Sequence, residues 1–322
     1  MGRTVLVVTA LEDVTADLVI ECLIAREVPV VRVDPADLGP DLHFEAAIGD
    51  RAADWGGRLR TPSRELELGQ VAAVYYRRPS PWCFERLPPQ ARDFAKAEAR
   101  HGLGGLLANL PGANYVNHPA AVNHADYKPA QLQTAARLGF AVPPTLVTND
   151  VAAAQRFAAE HGPVIYKPFR GLPAGPDGHT GAIWAQRVDP DAFDGSIEVT
   201  AHLFQAEVPK TGDVRVTVVG SRVFAQRIHT AEGSLDWRRG DWDALRHTPA
   251  AVPDPVRVLL HAYLRCFGLV FGCFDFALSG PEQLAESWTW IECNPNGQWA
   301  WLPDADGIAG AFAEVLMEGG AR

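Results

Sequence analysis

The segment Trp290-Ile291-Glu292-Cys293-Asn294-Pro295-Asn296-Gly297 sets the tightest limit on what this chain folds into. It reads as an apolar strand that ends on two polar side chains and is stopped by Pro and Gly. Residues two apart on a strand share a face, so Glu292 and Asn294 project together. A carboxylate is seldom buried without a partner. Upstream, Asp275 interrupts a second apolar stretch, Gly272–Leu278, in the same way. The separation suits two adjacent antiparallel strands joined by a loop. A solvated strand end would account for Glu292 alone. Asp275, Glu292 and Asn294 together make a set of hard oxygen donors from two strands. Such a set suits Mg²⁺, which takes carboxylates, waters and substrate phosphates.

Two lysines are the next signal. Lys167 ends the apolar strand Val164–Lys167 and precedes a loop dense in Gly and Pro, Phe169–Gly181. Backbone N–H groups of such a loop can point at phosphate oxygens. Lysine meets phosphate as a point charge. Lys128 stands earlier, at the start of a helix. Either lysine alone would pass for a surface residue. The loop is not a P-loop, because Gly-x-x-x-x-Gly-Lys-Ser/Thr does not occur in the sequence. Gly102, Gly104 and Gly105 do not complete a dinucleotide fingerprint either, and His118 and His124 lack metal-ligand spacing.

The 322 residues suggest two or three domains. The first third alternates strand and helix: Thr4–Thr9, a helix capped by Asp13, Val28–Val33, Val71–Tyr76, then a helix over Ala91–Leu107. Alternation of this kind predicts βαβ units and a mainly parallel sheet, assigned to residues 1–115. Asn114–Pro119 reads as a linker. Residues 116–206 hold helices over Asp126–Gly139 and from Asp150 to Gly162, and strands at Val164–Lys167, Ala182–Arg187 and Val199–Val208. Residues 207–322 are strand-rich: Val214–Val219 and Val223–Ile228 flank Gly220-Ser221, and Leu269–Leu278 and Trp288–Asn294 follow the helix Pro255–Phe267. A helix over Asp306–Glu318 closes the chain.

Hydrophobic residues at 47% and charged residues at 21% place the chain among ordered globular proteins. A net charge of −10 with no Lys/Arg run predicts neither a nucleic-acid partner nor a membrane surface. No apolar run reaches the roughly 20 residues of a membrane span. Five cysteines, an odd number without Cys-x-x-Cys, read as free thiols of a reducing compartment. A cytoplasmic location is the expectation.

In chain order, Lys128, Lys167 before the Gly-rich loop, Gln205-Ala206-Glu207-Val208, Asp275 and Glu292-x-Asn294 resemble the ATP-grasp ligases over the whole length. The resemblance implies an α/β (α+β) ATP-grasp fold. Its parts are an N-terminal pre-ATP-grasp βαβ domain, a central lid and a C-terminal antiparallel-sheet domain with the metal site. ATP and Mg²⁺ are the implied cofactors. Lys128 and Lys167 would bind phosphates, with Gly171 and Gly181 of the loop beside them. Gln205, Ala206, Glu207 and Val208 would form the adenine hinge, and Asp275, Glu292 and Asn294 would hold the metal.

Tyr75-Tyr76-Arg77-Arg78-Pro79, Lys210–Arg215, Val218–Arg227, Asp236-Trp237-Arg238 and Asn294–Trp299 are similar to the microviridin-type (graspetide) ribosomal peptide maturases. That narrower resemblance implies an ATP-dependent macrocyclase. It would activate Glu/Asp side chains as acyl phosphates and join them to Ser/Thr hydroxyls as esters or Lys amines as amides. Arg215 and Arg227 would hold the acyl phosphate and the acidic peptide, with Lys210 and Asp213 on the core peptide. The implied partners are a ribosomal precursor peptide, leader plus acidic core, and a second copy in a homodimer. A ligase adding a free amino acid to an acceptor is the alternative. A nucleotide-binding regulator without turnover is a third, against which Asp275, Glu292 and Asn294 argue.

Some points stay open at this level. A two-residue turn at Gly220-Ser221 pairs Val219 with Arg222 and puts Arg215 and Arg227 on opposite faces. A three-residue turn with a bulge brings them together. Tyr75 and Arg77 face the site or brace the fold. Trp288 and Trp290 read as core, whereas Trp299 and Trp301 line a peptide groove or pack inside.

Overall fold

The computed structural model describes residues 4–49, 53–170, 183–229, 235–240 and 245–318. The chain starts with β1 (Thr4–Val8), α1 (Val14–Ile24) and β2 (Val30–Val33). Asp13 caps α1 by accepting from the Thr15 and Ala16 amides, which satisfies two N–H groups the helix start leaves orphaned. Then come β3 (His43–Ala47), β4 (Gly56–Arg60), β5 (Glu65–Glu67), β6 (Val71–Tyr76), α2 (Pro89–His101), α3 (Leu103–Leu107) and β7 (Asn114–Val116). The first sheet has the order β2-β1-β6-β7, and its pairings are parallel. Every residue of β1 is buried, as expected of a parallel strand covered on both faces.

Three details differ from the sequence reading. The helix expected over Ala91–Leu107 breaks at Gly102, whose ideal Cβ would lie 2.9 Å from the Glu98 carbonyl. The expected linker supplies β7 to the sheet, and Pro119 then starts a helix. The small antiparallel sheet β3-β4-β5 was not foreseen. Its strands are mostly exposed and keep only Leu59 and Leu66 buried, too little alternation to read.

The middle of the chain carries α4 (Pro119–Ala125), α5 (Lys128–Leu138), β8 (Thr145–Thr148), α6 (Val151–His161), β9 (Val164–Lys167), β10 (Gln186–Val188) and β11 (His202–Ala206). The second sheet is antiparallel, in the order β10-β9-β11-β8. β11 starts later than the predicted strand because Asp194 caps a 3-10 turn over Gly195–Val199. The last part carries β12 (Gly212–Val219), β13 (Arg222–His229), β14 (Arg246–Pro249), α7 (Asp254–Phe267), β15 (Phe271–Leu278), β16 (Trp288–Asn294) and α8 (Ala305–Glu318). These five strands form an antiparallel sheet in the order β14-β13-β12-β15-β16.

This sheet has two unlike faces. Val214, Val216 and Val218 share one face with Phe274 and Phe276, and pack in one core cluster with Leu260 and Tyr263 of α7. Asp213, Arg215 and Thr217 take the other face with Cys273, Asp275 and Ala277. Helix α8 joins the first and third sheets: Ile308, Phe312 and Leu316 pack with Val5, Val7, Leu23, Val219 and Phe271. Burying Phe312 alone contributes on the order of 2–3 kcal/mol.

Candidate active site

A cleft of about 300 Å³ lies between the second and third sheets. The second sheet supplies Lys167 from the end of β9 and Gln205 from β11. Lys167 Nζ donates to Gln205 Oε1 at 2.6 Å, and Gln205 Nε2 donates to Thr145 Oγ1 at 2.8 Å. Burial lowers the Lys167 ammonium to about 8; Lys128 and Arg238 push the same way and Glu292 opposes. Lys128 opens α5, where Pro129 at the next position suits a helix start.

The third sheet supplies the carboxylates. Asp275 and Glu292 are paired across β15 and β16, and the register then shifts so that Phe276 pairs with Trp290. Ile291 is left as the extra residue of a bulge, a device that re-aims side chains. Ile291 and Glu292, although consecutive, both line the cleft. Arg215 Nη1 donates to both oxygens of Asp275 at 2.9 and 2.8 Å. Lys128 Nζ donates to Glu292 Oε2 at 2.7 Å, and Arg238 Nη1 reaches Glu292 Oε1 at 3.4 Å. Arg238 also grips Asp236 through Nε at 2.9 Å and Nη2 at 2.8 Å, and lies over the Trp184 ring at 5.6 Å.

These contacts set the ionisation. Burial alone would raise Glu292, but Lys128 and Arg238 outweigh it and hold the carboxyl well below its ordinary range. Asp275 goes the other way: burial, helped by the facing Glu292, raises it despite Arg215. Burial would lower Arg215, yet Asp275 holds its guanidinium firmly charged. Lys210 Nζ spans both oxygens of Asp213 at 2.7 Å each and donates to the Leu235 carbonyl at 3.0 Å. Burial still leaves Asp213 above its ordinary value.

The structure brings Lys128, Lys167, Gln205, Val208, Lys210, Asp213, Asp275 and Glu292 around one cleft, with Arg215 behind Asp275. Ala206 and Glu207 give their N–H groups to the Pro144 and Pro163 carbonyls at 2.9 and 2.8 Å. Glu207 is clasped by Arg187 through two bonds of 2.7 Å. Gly171 and Gly181 lie outside the described residues. Asn294 shares the face of Glu292 but stands opposite Cys273, and its Oδ1 accepts from the Asn296 amide at 3.2 Å.

Arg227 is not brought to the cleft. Val219 pairs with Arg222 through a two-residue turn, so Arg215 is opposite Gln226 and Arg227 opposite Val214. Arg227 therefore lies on the other face and donates to the Thr211 carbonyl at 3.2 Å. The tryptophans divide: Trp299 is buried and stacks on Phe312 at 5.3 Å, while Trp301 packs on the cleft-lining Trp237 at 5.1 Å. Asp236 and Arg238 had no assigned role in the sequence reading. They sit in an aperiodic stretch, marked by the opposite charges two residues apart and by the resemblance of Asp236-Trp237-Arg238, neither of which states a role.

The donor set fits Mg²⁺. Among the described residues no group of three or more His, Cys, Asp or Glu could hold a metal ion. Asp275 and Glu292, completed by phosphate oxygens, make the sparse protein share that Mg²⁺ takes, whereas Asn294 does not line the cleft and its Oδ1 is engaged by the Asn296 amide.

This cleft between two antiparallel sheets, beside the parallel first sheet, defines an enzyme with the ATP-grasp ligase fold. Residues 4–123 match the family model of the MvdD pre-ATP grasp domain. Among solved structures, the chain is similar to a RiPP-associated ATP-grasp ligase of Chryseobacterium gregarium, solved with ADP and a leader and core peptide. The identity is 25%, the TM-score 0.88, and 99% of this chain and 97% of that chain are covered. It is also similar to the macrocyclase MdnC of Microcystis aeruginosa MRC, solved with precursor peptide MdnA, at 27% identity, TM-score 0.85, and coverage of 98% and 99%. The macrocyclase MdnB of the same organism matches at 27% identity, TM-score 0.79, and coverage of 98% and 99%. A comparison with curated proteins finds no match. Among the described residues no helix is long and apolar enough to cross a membrane.

Proposed function

We propose that the protein is an ATP-dependent macrocyclase of a ribosomal precursor peptide with a leader and an acidic core. It would join Glu or Asp side chains to Ser/Thr hydroxyls as esters, or to Lys amines as amides, within that core. The observation that carries the reading is the alternation of cations and carboxylates in the cleft: Lys128 on Glu292, Arg215 on Asp275, Arg238 across Asp236 and Glu292. The neighbouring ligases that act on peptides support it.

The chemistry asks for positioning and for charge where phosphoryl and carboxyl oxygens meet. A substrate carboxylate oxygen takes the γ-phosphoryl group of ATP, giving an acyl phosphate and ADP. The hydroxyl or amine then attacks the acyl carbon and phosphate leaves. Mg²⁺ held by Asp275 and Glu292 would draw charge from the phosphoryl oxygens. Lys128 and Lys167 face that region as cations for the phosphate chain. Arg238, 39% exposed, is the arginine best placed to meet an incoming carboxylate, with Lys210 and Asp213 beside it. Arg215 stays behind Asp275, where it opposes the upward pull of burial on that carboxyl and keeps it aimed.

Residues 1–115, 116–206 and 207–322 serve in this proposal as pre-ATP-grasp domain, lid and metal-bearing domain, and two chains form a homodimer in the cytoplasm. Intact mass of the precursor after co-expression tests the function. One water lost per crosslink, abolished by Lys167→Ala, is the expected result. A mass increase by an amino-acid residue would point instead to free amino-acid ligation.

A further inference from the structure

The loop that follows Asn294 is held from two sides. From the first sheet comes Arg77, whose side chain is fully buried: its Nε lies 2.7 Å from Asp13 Oδ2. Its Nη2 donates to Gln298 Oε1 at 2.6 Å and its Nη1 to the Gly297 carbonyl at 3.3 Å. Thr15 of α1 donates to the same Gln298 Oε1 at 2.7 Å. Arg78 grips the Asn296 carbonyl at 3.1 and 2.8 Å, and Asn296 Nδ2 returns a bond to the Arg77 carbonyl at 2.8 Å. From the third sheet comes Arg215, whose Nη2 donates to the Gln298 main-chain carbonyl at 3.1 Å while its Nη1 holds Asp275. Gly297 is pressed against that arginine: a Cβ there would lie 2.8 Å from Arg215 Nη2 and 2.6 Å from Cys273 Sγ.

We propose that Gln298 is a positioning residue through which the pre-ATP-grasp domain sets the placement of Arg215, and through it the Asp275 carboxylate. The inference rests on the proposed function only in assigning Asp275 to the active cleft. The side chain of Gln298 is fixed by Arg77 and Thr15; its main chain is fixed to Arg215. A buried charge is costly and adds little net stability compared with apolar packing. Burying Arg77 against Asp13 and Gln298 is therefore better explained by the geometry it imposes on the loop. The chain of contacts Thr15/Arg77–Gln298–Arg215–Asp275 links residues far apart in sequence without a gap. Gln298 itself is exposed, so replacing it opens no apolar cavity.

The full-length chain tests this with Gln298→Ala and Gln298→Glu. The first removes the acceptor that the first domain grips; the second restores one. Two readouts apply: hydrogen exchange of the Arg215 guanidinium followed by ¹⁵N NMR, which needs no substrate, and kcat for ADP release with precursor peptide. Gln298→Ala is expected to speed Arg215 exchange and lower kcat about tenfold, the scale of one lost hydrogen bond, with the KM for ATP unchanged and a fall in Tm from the buried Arg77 donor left without its acceptor. Gln298→Glu is expected to recover both. Arg215 exchange that stays slow in folded Gln298→Ala overturns the proposal, as does a kcat loss without any Arg215 change. Failure of the peptide to react with the wild-type chain, with the Arg215 response intact, would overturn only the substrate reading.

Discussion

The two faces of the β14-β13-β12-β15-β16 sheet are made by the same strands and do opposite work. One face alternates Val214, Val216 and Val218 with Phe274 and Phe276 and is closed by helices α5 and α7. The other carries Asp213, Arg215, Asp275 and Glu292, all paired with opposite charges. A period of two lets one strand pack a core with its odd or even members and build a site with the rest. The apolar face tolerates no voids but needs no particular polar geometry. The polar face is held by ion pairs whose distances fix each carboxylate oxygen. Damage to the first should therefore cost stability, and damage to the second should cost chemistry.

The largest effect is expected on the apolar face. Phe276 is fully buried against Trp288 at 5.2 Å and Phe140 at 5.8 Å. Phe276→Ala should cost about 3–5 kcal/mol, read as a lower denaturation midpoint, with turnover per folded molecule preserved. Glu292→Gln should do the reverse. Removing a charge aimed at the reacting groups costs on the order of 10²–10³ in rate, while thermal melts should show a folded protein. Unchanged turnover would remove Glu292 from the metal set.

A smaller effect follows from Lys167. With its ammonium near about 8, it is charged at lower pH and neutral above. Phosphate attracts the charged form, so nucleotide affinity should fall up to about tenfold per pH unit above that point. Stability moves oppositely. The fold disfavours the charged lysine relative to its ordinary value of 10.5, so this group's penalty is full below about 8 and is relieved as pH rises toward 10.5. Calorimetric titration of ADP from pH 7 to 9.5 checks the first part, and Lys167→Arg should flatten the profile. The smallest effect belongs to Arg227, half-buried on the face away from the cleft. Arg227→Ala should leave turnover within about twofold, since the side chain lies away from the cleft and its substitution opens no core cavity; a hundredfold loss would place it in the site after all.

Much of this contrast is legible in the sequence because it is periodic. Asp275 and Glu292 stand out as charges inside apolar strands, and Lys167 as a charge ending one. What escapes is set by single backbone events or by distant partners. The bulge at Ile291 depends on pairing register, which composition does not state. The face taken by Arg227 turns on the length of one hairpin turn. Arg238 lies in an aperiodic stretch, and β14 is too short and polar to announce itself. Arg77 reads as facing the site or bracing the fold, and the choice is made only where the fold brings Gln298 against it, 221 positions away along the chain.

The most direct test of the polar face's chemistry is an isotope measurement. Precursor peptide carrying ¹⁸O in its Glu and Asp side-chain carboxylates is turned over with unlabelled ATP, and the released phosphate is analysed by mass. Activation as an acyl phosphate predicts one ¹⁸O in the phosphate for each bond formed. Unlabelled phosphate accompanying crosslinked peptide would contradict the account.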